Sequence, residues 1–291
     1  MEIIHTNNTK TLASALAEKL ALPMFCAHVQ CYNSGEISVS LFKRFLDVVL
    51  VASTVTHDDW MKLFLLLDAL RDSKNIVLVL SYMGYSRQDI CDSNKSFGAG
   101  LFPRLLETAN ISHCIVFDNH CEPFFRIPTV HVSSAQIFAS DIMGKYDADK
   151  ITIVSPDIGG ARRAGAVARF VGSSFAICHK MRDVFGLIEK STVVGDVSSK
   201  ICVLIDDIID SGATLYAAAD ALMRANCAGV VSYCSHGILS GEAVEKLDRS
   251  EIAEITLTDS IERSKQFPVK FKKLSIASLI AEEIQCILQR Y

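Results

Sequence analysis

The stretch Cys202-Val203-Leu204-Ile205-Asp206-Asp207-Ile208-Ile209-Asp210-Ser211-Gly212-Ala213-Thr214 decides the fold. Its first four residues are a continuous apolar run, which predicts a strand buried on both faces. Two adjacent carboxylates stand where that strand is expected to end, and a short Asp-Ser-Gly-Ala-Thr segment follows. The Ala-rich residues 215–226 then predict a helix. A strand, a short loop and a helix start form an anion site, because free N–H groups and the helix dipole both favour negative charge there. Gly212 lets the backbone approach a phosphate closely, and Ser211 and Thr214 add hydroxyl donors. Asp206 and Asp207 cannot bind a phosphate directly, but they can accept from vicinal hydroxyls or face a divalent cation. A ligand with a phosphate at one end and a diol nearby, such as a sugar phosphate, fits both halves. A capped strand–loop–helix with an Asp-rich turn is the plainer alternative. The ordered string, rather than any single residue, favours the ligand.

Around this stretch, strands and helices alternate along the whole chain. Strands are expected at residues 1–4, 48–52, 76–80 and 114–117, with helices at 11–20, from Asp58 or Asp59 to about Arg71, and at 100–109. Residues 29–40 predict a hairpin turning at Asn33-Ser34-Gly35. The pattern restarts with strands at 151–154 and 175–178 and a helix at 162–170. Beyond the opening stretch come strands at 230–233 and 255–257 and helices at 242–247 and 278–289. Such alternation predicts an α/β fold with mostly parallel sheets flanked by helices and right-handed crossovers. Two architecturally similar halves are expected to join near residues 133–150. The domains are placed at 1–137 and 138–291, with the last helix able to pack on the first domain.

Composition narrows the function. The net charge of −4 gives no electrostatic footprint for nucleic acid. No apolar run approaches the roughly 20 residues of a membrane span. The ten cysteines form no C-x-x-C pair, and the chain opens without a basic-then-apolar segment, so reduced thiols in a cytoplasm are expected. There is no Walker loop, no G-x-S-x-G elbow and no H-E-x-x-H or paired-cysteine zinc spacing.

Further candidates follow expected strand ends, where open α/β sheets bind ligands. After 76–80 comes Ser81-Tyr82-Met83-Gly84-Tyr85-Ser86-Arg87-Gln88-Asp89, whose Arg87 can clamp a phosphate or stack on a base. Asp118-Asn119-His120 follows 114–117, and His120 can meet a metal or a phosphate oxygen. Ser155-Pro156-Asp157-Ile158-Gly159-Gly160 follows 151–154, offering Asp157 to Mg²⁺ and backbone amides to a pyrophosphate. Lys180 and Arg182 follow 175–178 and can neutralise charge on a transferred phosphoryl group. Each has a bland reading too: a surface Arg–Asp pair, a structural histidine, a turn leading into a helix, a solvated basic turn.

In this order the motifs resemble the ribose-phosphate pyrophosphokinase (phosphoribosyl pyrophosphate, PRPP, synthetase) family along nearly the whole chain. The Asp206-to-Thr214 stretch alone is similar to the PRPP loop that this family shares with type I phosphoribosyltransferases. The resemblance implies two domains of the phosphoribosyltransferase kind and transfer of the β,γ-diphosphoryl group of Mg-ATP to the anomeric hydroxyl of ribose 5-phosphate. It implies that Asp210, Ser211, Gly212, Ala213 and Thr214 hold the 5-phosphate and that Asp206 and Asp207 face the ribose hydroxyls. It assigns Arg87, Gln88 and Asp89 to ATP, with Tyr32 and Glu36 reaching adenine from a neighbouring subunit. His120 and Asp157 would meet the metal–triphosphate, and Lys180 and Arg182 the charge building at the β-phosphate. A homo-oligomer is implied, at least a dimer, with a hexamer the usual assembly.

Two departures from the family pattern stand out. The early hairpin usually carries Arg-Phe-x-Asp-Gly-Glu, and here it is Cys31-Tyr32-Asn33-Ser34-Gly35-Glu36. The segment after Asp89 is usually basic and regulatory, whereas residues 90–100 hold only Lys95. The resulting expectation is weak or absent allosteric inhibition by ADP. The altered hairpin also keeps open a catalytically silent regulatory or scaffold subunit. A phosphoribosyltransferase is opposed by the whole N-terminal half.

Overall fold

The structure is a computed structural model. It describes residues 1–121, 125–182, 188–262 and 267–289, with the backbone alone for 180–182 and 188–191. The chain divides into two compact units. One is Met1–Val132 with Asp259–Ser264 and Ser275–Tyr291, and the other is Ser133–Thr258 with Lys265–Leu274.

The first unit contains β1 (Glu2–His5), α1 (Lys10–Leu20), β2 (Met24–Cys26), β3 (His28–Cys31), β4 (Ile37–Ser40), β5 (Asp47–Thr54), α2 (His57–Ala69), β6 (Asn75–Met83), α3 (Gly98–Leu106), β7 (His113–Phe117) and β8 (Thr129–Val132). Its main sheet has the order β2-β1-β5-β6-β7-β8, parallel throughout, while β3 and β4 form a separate antiparallel hairpin. The β5 side chains alternate between two cores. Val48, Leu50 and Ala52 join Trp60, Leu63 and Leu66 on one face. Val49 and Val51 join Leu12 and Leu16 on the other. Burial on both faces is why the strand is apolar without alternation. Each such aliphatic side chain contributes roughly 1.5–3 kcal/mol of burial.

The second unit contains α4 (Ala135–Lys145), β9 (Ile151–Ser155), α5 (Ala161–Val171), β10 (Ser174–Arg182), β11 (Ile188–Val194), β12 (Ile201–Ile209), α6 (Ala213–Arg224), β13 (Gly229–Gly237), α7 (Ala243–Asp248), β14 (Ile252–Thr258) and β15 (Phe271–Leu274). Its sheet runs β11-β10-β9-β12-β13-β14-β15 and is parallel except for the β10–β11 pair. Cys202 and Leu204 pack on one face and Val203 and Ile205 on the other. The chain ends in α8 (Ala277–Leu288), which belongs to the first unit. Ile276, Ile280, Ile284 and Ile287 form its buried stripe, together with Ile3, Leu12 and Leu16.

Several expectations need correction. The strand carrying Asp206 and Asp207 does not end at them but continues to Ile209. Its ladder with β9 ends at Leu204↔Val154, while the ladder with β13 continues through Ile209↔Gly237. The carboxylates therefore lie where one side of the strand has lost its neighbour. The cap of α2 is Thr56, in a reciprocal capping box with Asp59, so neither Asp58 nor Asp59 is the N-cap. Apart from these corrections, the main chain passes from one unit to the other at residues 132–133, and residues 133–150 hold helix α4. The short edge strands β8 and β15 carry no strong apolar run and left no pattern to read.

Candidate active site

In the second unit the Asp206-to-Thr214 segment leaves β12 and opens α6. Gly212 is the N-cap of α6 at φ +76°, with no side-chain cap on the first turn. The first N–H groups of this 12-residue helix have no capping side chain from residue 212 itself, which is glycine. The positive φ favours glycine here, and a Cβ on Gly212 would also meet the Leu247 side chain at 3.0–3.3 Å, close enough that Leu247 must give way. Asp210 braces the loop, since Ser240 Oγ donates to its Oδ1 at 2.6 Å and Ser240 N to its carbonyl at 3.0 Å. Asp210 is half-buried, and Ser211 and Ala213 are exposed.

Asp206 and Asp207 are both buried, at 8% and 5% exposure. Asp207 N donates to Asp206 Oδ1 at 2.9 Å. Burial, reinforced by the neighbouring Asp207 and then Asp157 carboxylates, holds Asp206 well above the ordinary carboxylate range. Asp207 pairs with Arg163 on α5, Nη2 to Oδ2, at 3.4 Å. Asp157, in the loop after β9, accepts from Gly160 N at 3.0 Å, and Ser155 Oγ donates to its carbonyl at 2.6 Å. A Cβ on Gly160 would crowd Ser155 Oγ at 2.9 Å. Lys180 and Arg182 lie on β10, opposite Ser191 and Ile188 of β11. Their side chains lie outside the described residues.

In the first unit Arg87, Gln88 and Asp89 are exposed in the loop after β6. Gly84 starts this loop. A Cβ there would lie 2.1 Å from the Thr54 carbonyl oxygen, and Gly84 N donates to Thr54 Oγ1 at 3.0 Å. Tyr85 takes the left-handed conformation at φ +65°, and its ring lies 4.6 Å from that of Phe102. Gln88 is tied inward as well. Ser96 Oγ donates to its Oε1 at 2.9 Å and Ala99 N to its carbonyl at 3.1 Å. His120 is exposed in the loop after β7. That loop meets the Arg87 loop through Cys121, whose thiol donates to the Ser86 carbonyl at 3.4 Å. Burial and the nearby Asp89 push the Cys121 thiol up. Tyr32 and Glu36 are exposed at the turn of the β3–β4 hairpin, where Tyr32 N donates to the Glu36 carbonyl at 2.9 Å.

Three contributors escaped the sequence reading: Arg163, Ser240 and Cys121. A signal existed for the first. Arg162 and Arg163 occupy the first turn of α5 with no acidic residue there, a position where the dipole disfavours cations. Ser240 and Cys121 act through loop closures that spacing does not reveal. Among the described residues no group of three His, Cys, Asp or Glu side chains is arranged to hold a metal alone. An oxygen donor such as Asp157 nevertheless fits Mg²⁺, which usually takes one or two carboxylates and completes its shell with phosphates and water. No helix among the described residues is long and apolar enough to cross a membrane.

Two α/β units with parallel-dominated sheets, one carrying paired buried carboxylates just before a helix capped by glycine, define an α/β protein of two similar units. Residues 1–109 match the family model for the N-terminal domain of ribose phosphate pyrophosphokinase. Residues 173–290 match the phosphoribosyl synthetase-associated domain. A ribose-phosphate pyrophosphokinase of Agrobacterium fabrum is 38% identical, over 98% of this chain and 96% of its own. That of Bradyrhizobium diazoefficiens is 36% identical over 98% and 93%. The crystal structure of phosphoribosylpyrophosphate synthetase from Mycobacterium smegmatis superposes with a TM-score of 0.90 at 28% identity, over 100% of this chain and 99% of that one. The chain belongs to the ribose-phosphate pyrophosphokinase family.

Proposed function

We infer that the protein is a ribose-phosphate diphosphokinase, with ATP and ribose 5-phosphate as substrates and PRPP and AMP as products. The anomeric oxygen of the sugar attacks the β-phosphorus, the bond from that phosphorus to the α,β-bridging oxygen breaks, AMP leaves, and the hydroxyl proton is released. The observation that carries this reading is the buried Asp206–Asp207 pair leading into the open N-terminus of α6, in a chain of this family.

Each residue has a role in that reaction. The N–H groups at 212–214 and the Ser211 and Thr214 hydroxyls hold the 5-phosphate, with Asp210 bracing the loop through Ser240. Asp206 and Asp207 accept from the ribose hydroxyls. Arg87 binds ATP, and Gln88 and Asp89 complete its segment. Tyr32 and Glu36 serve adenine from a neighbouring subunit, so the working form is a homo-oligomer. Asp157 and His120 meet the metal–triphosphate. Mg²⁺, when bound, neutralises phosphate charge. Lys180 and Arg182 stabilise charge at the β-phosphate in the transition state. None of the ten cysteines forms a disulfide, in keeping with a reducing cytoplasm as the place of work.

The decisive experiment mixes the purified protein with Mg²⁺, ATP and ribose 5-phosphate and follows AMP and PRPP. Equal amounts of both are expected. Binding of both substrates without AMP formation, across several nucleotides and with phosphate present, would overturn the reading. Within an active enzyme, Lys180→Ala is expected to lower kcat by about 100-fold or more while leaving both KM values near wild type.

A further inference from the structure

Arg163 is a cation in an unfavourable place on its helix, and the structure shows what compensates it. It lies in the first turn of α5, where the dipole opposes positive charge. Its side chain and that of Asp207 are only 15% and 7% exposed at their 3.4 Å contact. Asp207 is not an isolated acid, because Asp206 is its neighbour on β12 and feels the fields of both Asp207 and Asp157. The charge of Arg163 reaches Cys234 as well, a buried thiol on β13 that also feels Asp206 and Asp207. The guanidinium therefore faces the acidic pair of β12.

We propose that Arg163 is a positioning residue for ribose 5-phosphate, holding the Asp207 carboxylate in the orientation that accepts from the ribose hydroxyls. This rests on the reading of Asp206 and Asp207 as the diol site. Two adjacent buried carboxylates repel each other. Without a fixed cation, Asp207 swings toward solvent or shares a proton with Asp206, and in both cases a directed acceptor is lost. Arginine suits the task because its charge is permanent and its fork is planar, whereas lysine offers only a point charge. The effect falls on the sugar. The Arg87 segment belongs to the other unit.

The test is steady-state kinetics of Arg163→Met with ribose 5-phosphate and ATP varied separately, with calorimetric binding of ribose 5-phosphate alongside. A KM for ribose 5-phosphate raised roughly tenfold or more is expected, the scale on which a buried charge stripped of its partner acts. The KM for ATP should stay within about twofold. Arg163→Lys should recover part of the loss. The double variant R163M/D207N should bind the sugar no worse than D207N alone, because Arg163 acts through Asp207. An unchanged KM for the sugar overturns the proposal. So does a parallel rise in both KM values with a lowered Tm, which marks a merely structural arginine. Should R163M not fold, R163K and R163K/D207N are read by the same criteria. Wild-type protein that neither binds ribose 5-phosphate nor forms AMP overturns the reading of the site itself, and active wild type with an insensitive R163M overturns only the role of Arg163.

Discussion

The main-chain N–H of Asp207 donates to Asp206 Oδ1 at 2.9 Å, so the second acid of the pair helps to hold the first. One backbone bond does not offset burial and a second carboxylate, and Asp206 keeps its proton above the ordinary carboxylate pKa of about 3.9. In the window from there up to its raised value, the folded chain binds a proton that the unfolded chain has lost. Stability contributed by this group therefore falls as pH rises through the window and is level beyond it. Asp206→Asn is expected to raise Tm at neutral pH, by about 2–4 °C for each kcal/mol relieved. It should also flatten the fall in Tm above pH 4 and weaken ribose 5-phosphate binding. Calorimetry across pH, paired with sugar titrations, checks both halves. A lower Tm at pH 7 contradicts the account.

Gly212 joins β12 to α6 in a conformation that costs other residues about 1–2 kcal/mol. Its Cβ position also crowds Leu247. Gly212→Ala should lower Tm by roughly 3–6 °C. The displaced N–H groups should raise the KM for ribose 5-phosphate by about fivefold or more while sparing that for ATP. A variant with the stability loss but an unaltered sugar KM would separate the loop's fold from its ligand.

Gly84 faces a harder limit, because the atom its Cβ would strike is the Thr54 carbonyl oxygen at 2.1 Å. Backbone cannot rotate away as a side chain can. Gly84→Ala should therefore cost about 3 kcal/mol, the upper end of overpacking, and displace the segment carrying Arg87. The expected signature is a Tm loss accompanied by a raised KM for ATP rather than for the sugar. Equal Tm for G84A and wild type would refute it.

Lys95, the single cation in residues 90–100, lies 3.7 Å from Asp92 and is 68% exposed. A lone, partly neutralised surface cation is a poor anion anchor. ADP is expected to inhibit only in competition with ATP. Initial rates over a grid of ADP and ATP concentrations test this, and a non-competitive component at micromolar to millimolar ADP would contradict it.

Much of this molecule was legible before its structure. The two-face apolar runs at Val48-Val49-Leu50-Val51 and Cys202-Val203-Leu204-Ile205 announce parallel strands, because a strand covered on both sides has no polar alternation to keep. The order of the motifs along the chain carried the family, although Lys180, Arg182, Asp206 and Asp207 lie on strands β10 and β12 rather than beyond their ends. The sequence could not place the end of β12. That depended on β13 outrunning β9, which is a property of neighbours. It could not pair Arg163 with Asp207, 44 positions apart in the chain by their numbers, nor Ser240 with Asp210. The sequence allowed the last helix to pack on the first domain, and only the structure shows which of its residues, Ile280, Ile284 and Ile287 with the preceding Ile276, enter that core. Local composition determines which segments become strands, helices and loops, because backbone sterics and apolar periodicity act over a few residues. Which charges meet, and which buried carboxylate keeps its proton, is decided only when distant segments close together and water is excluded between them.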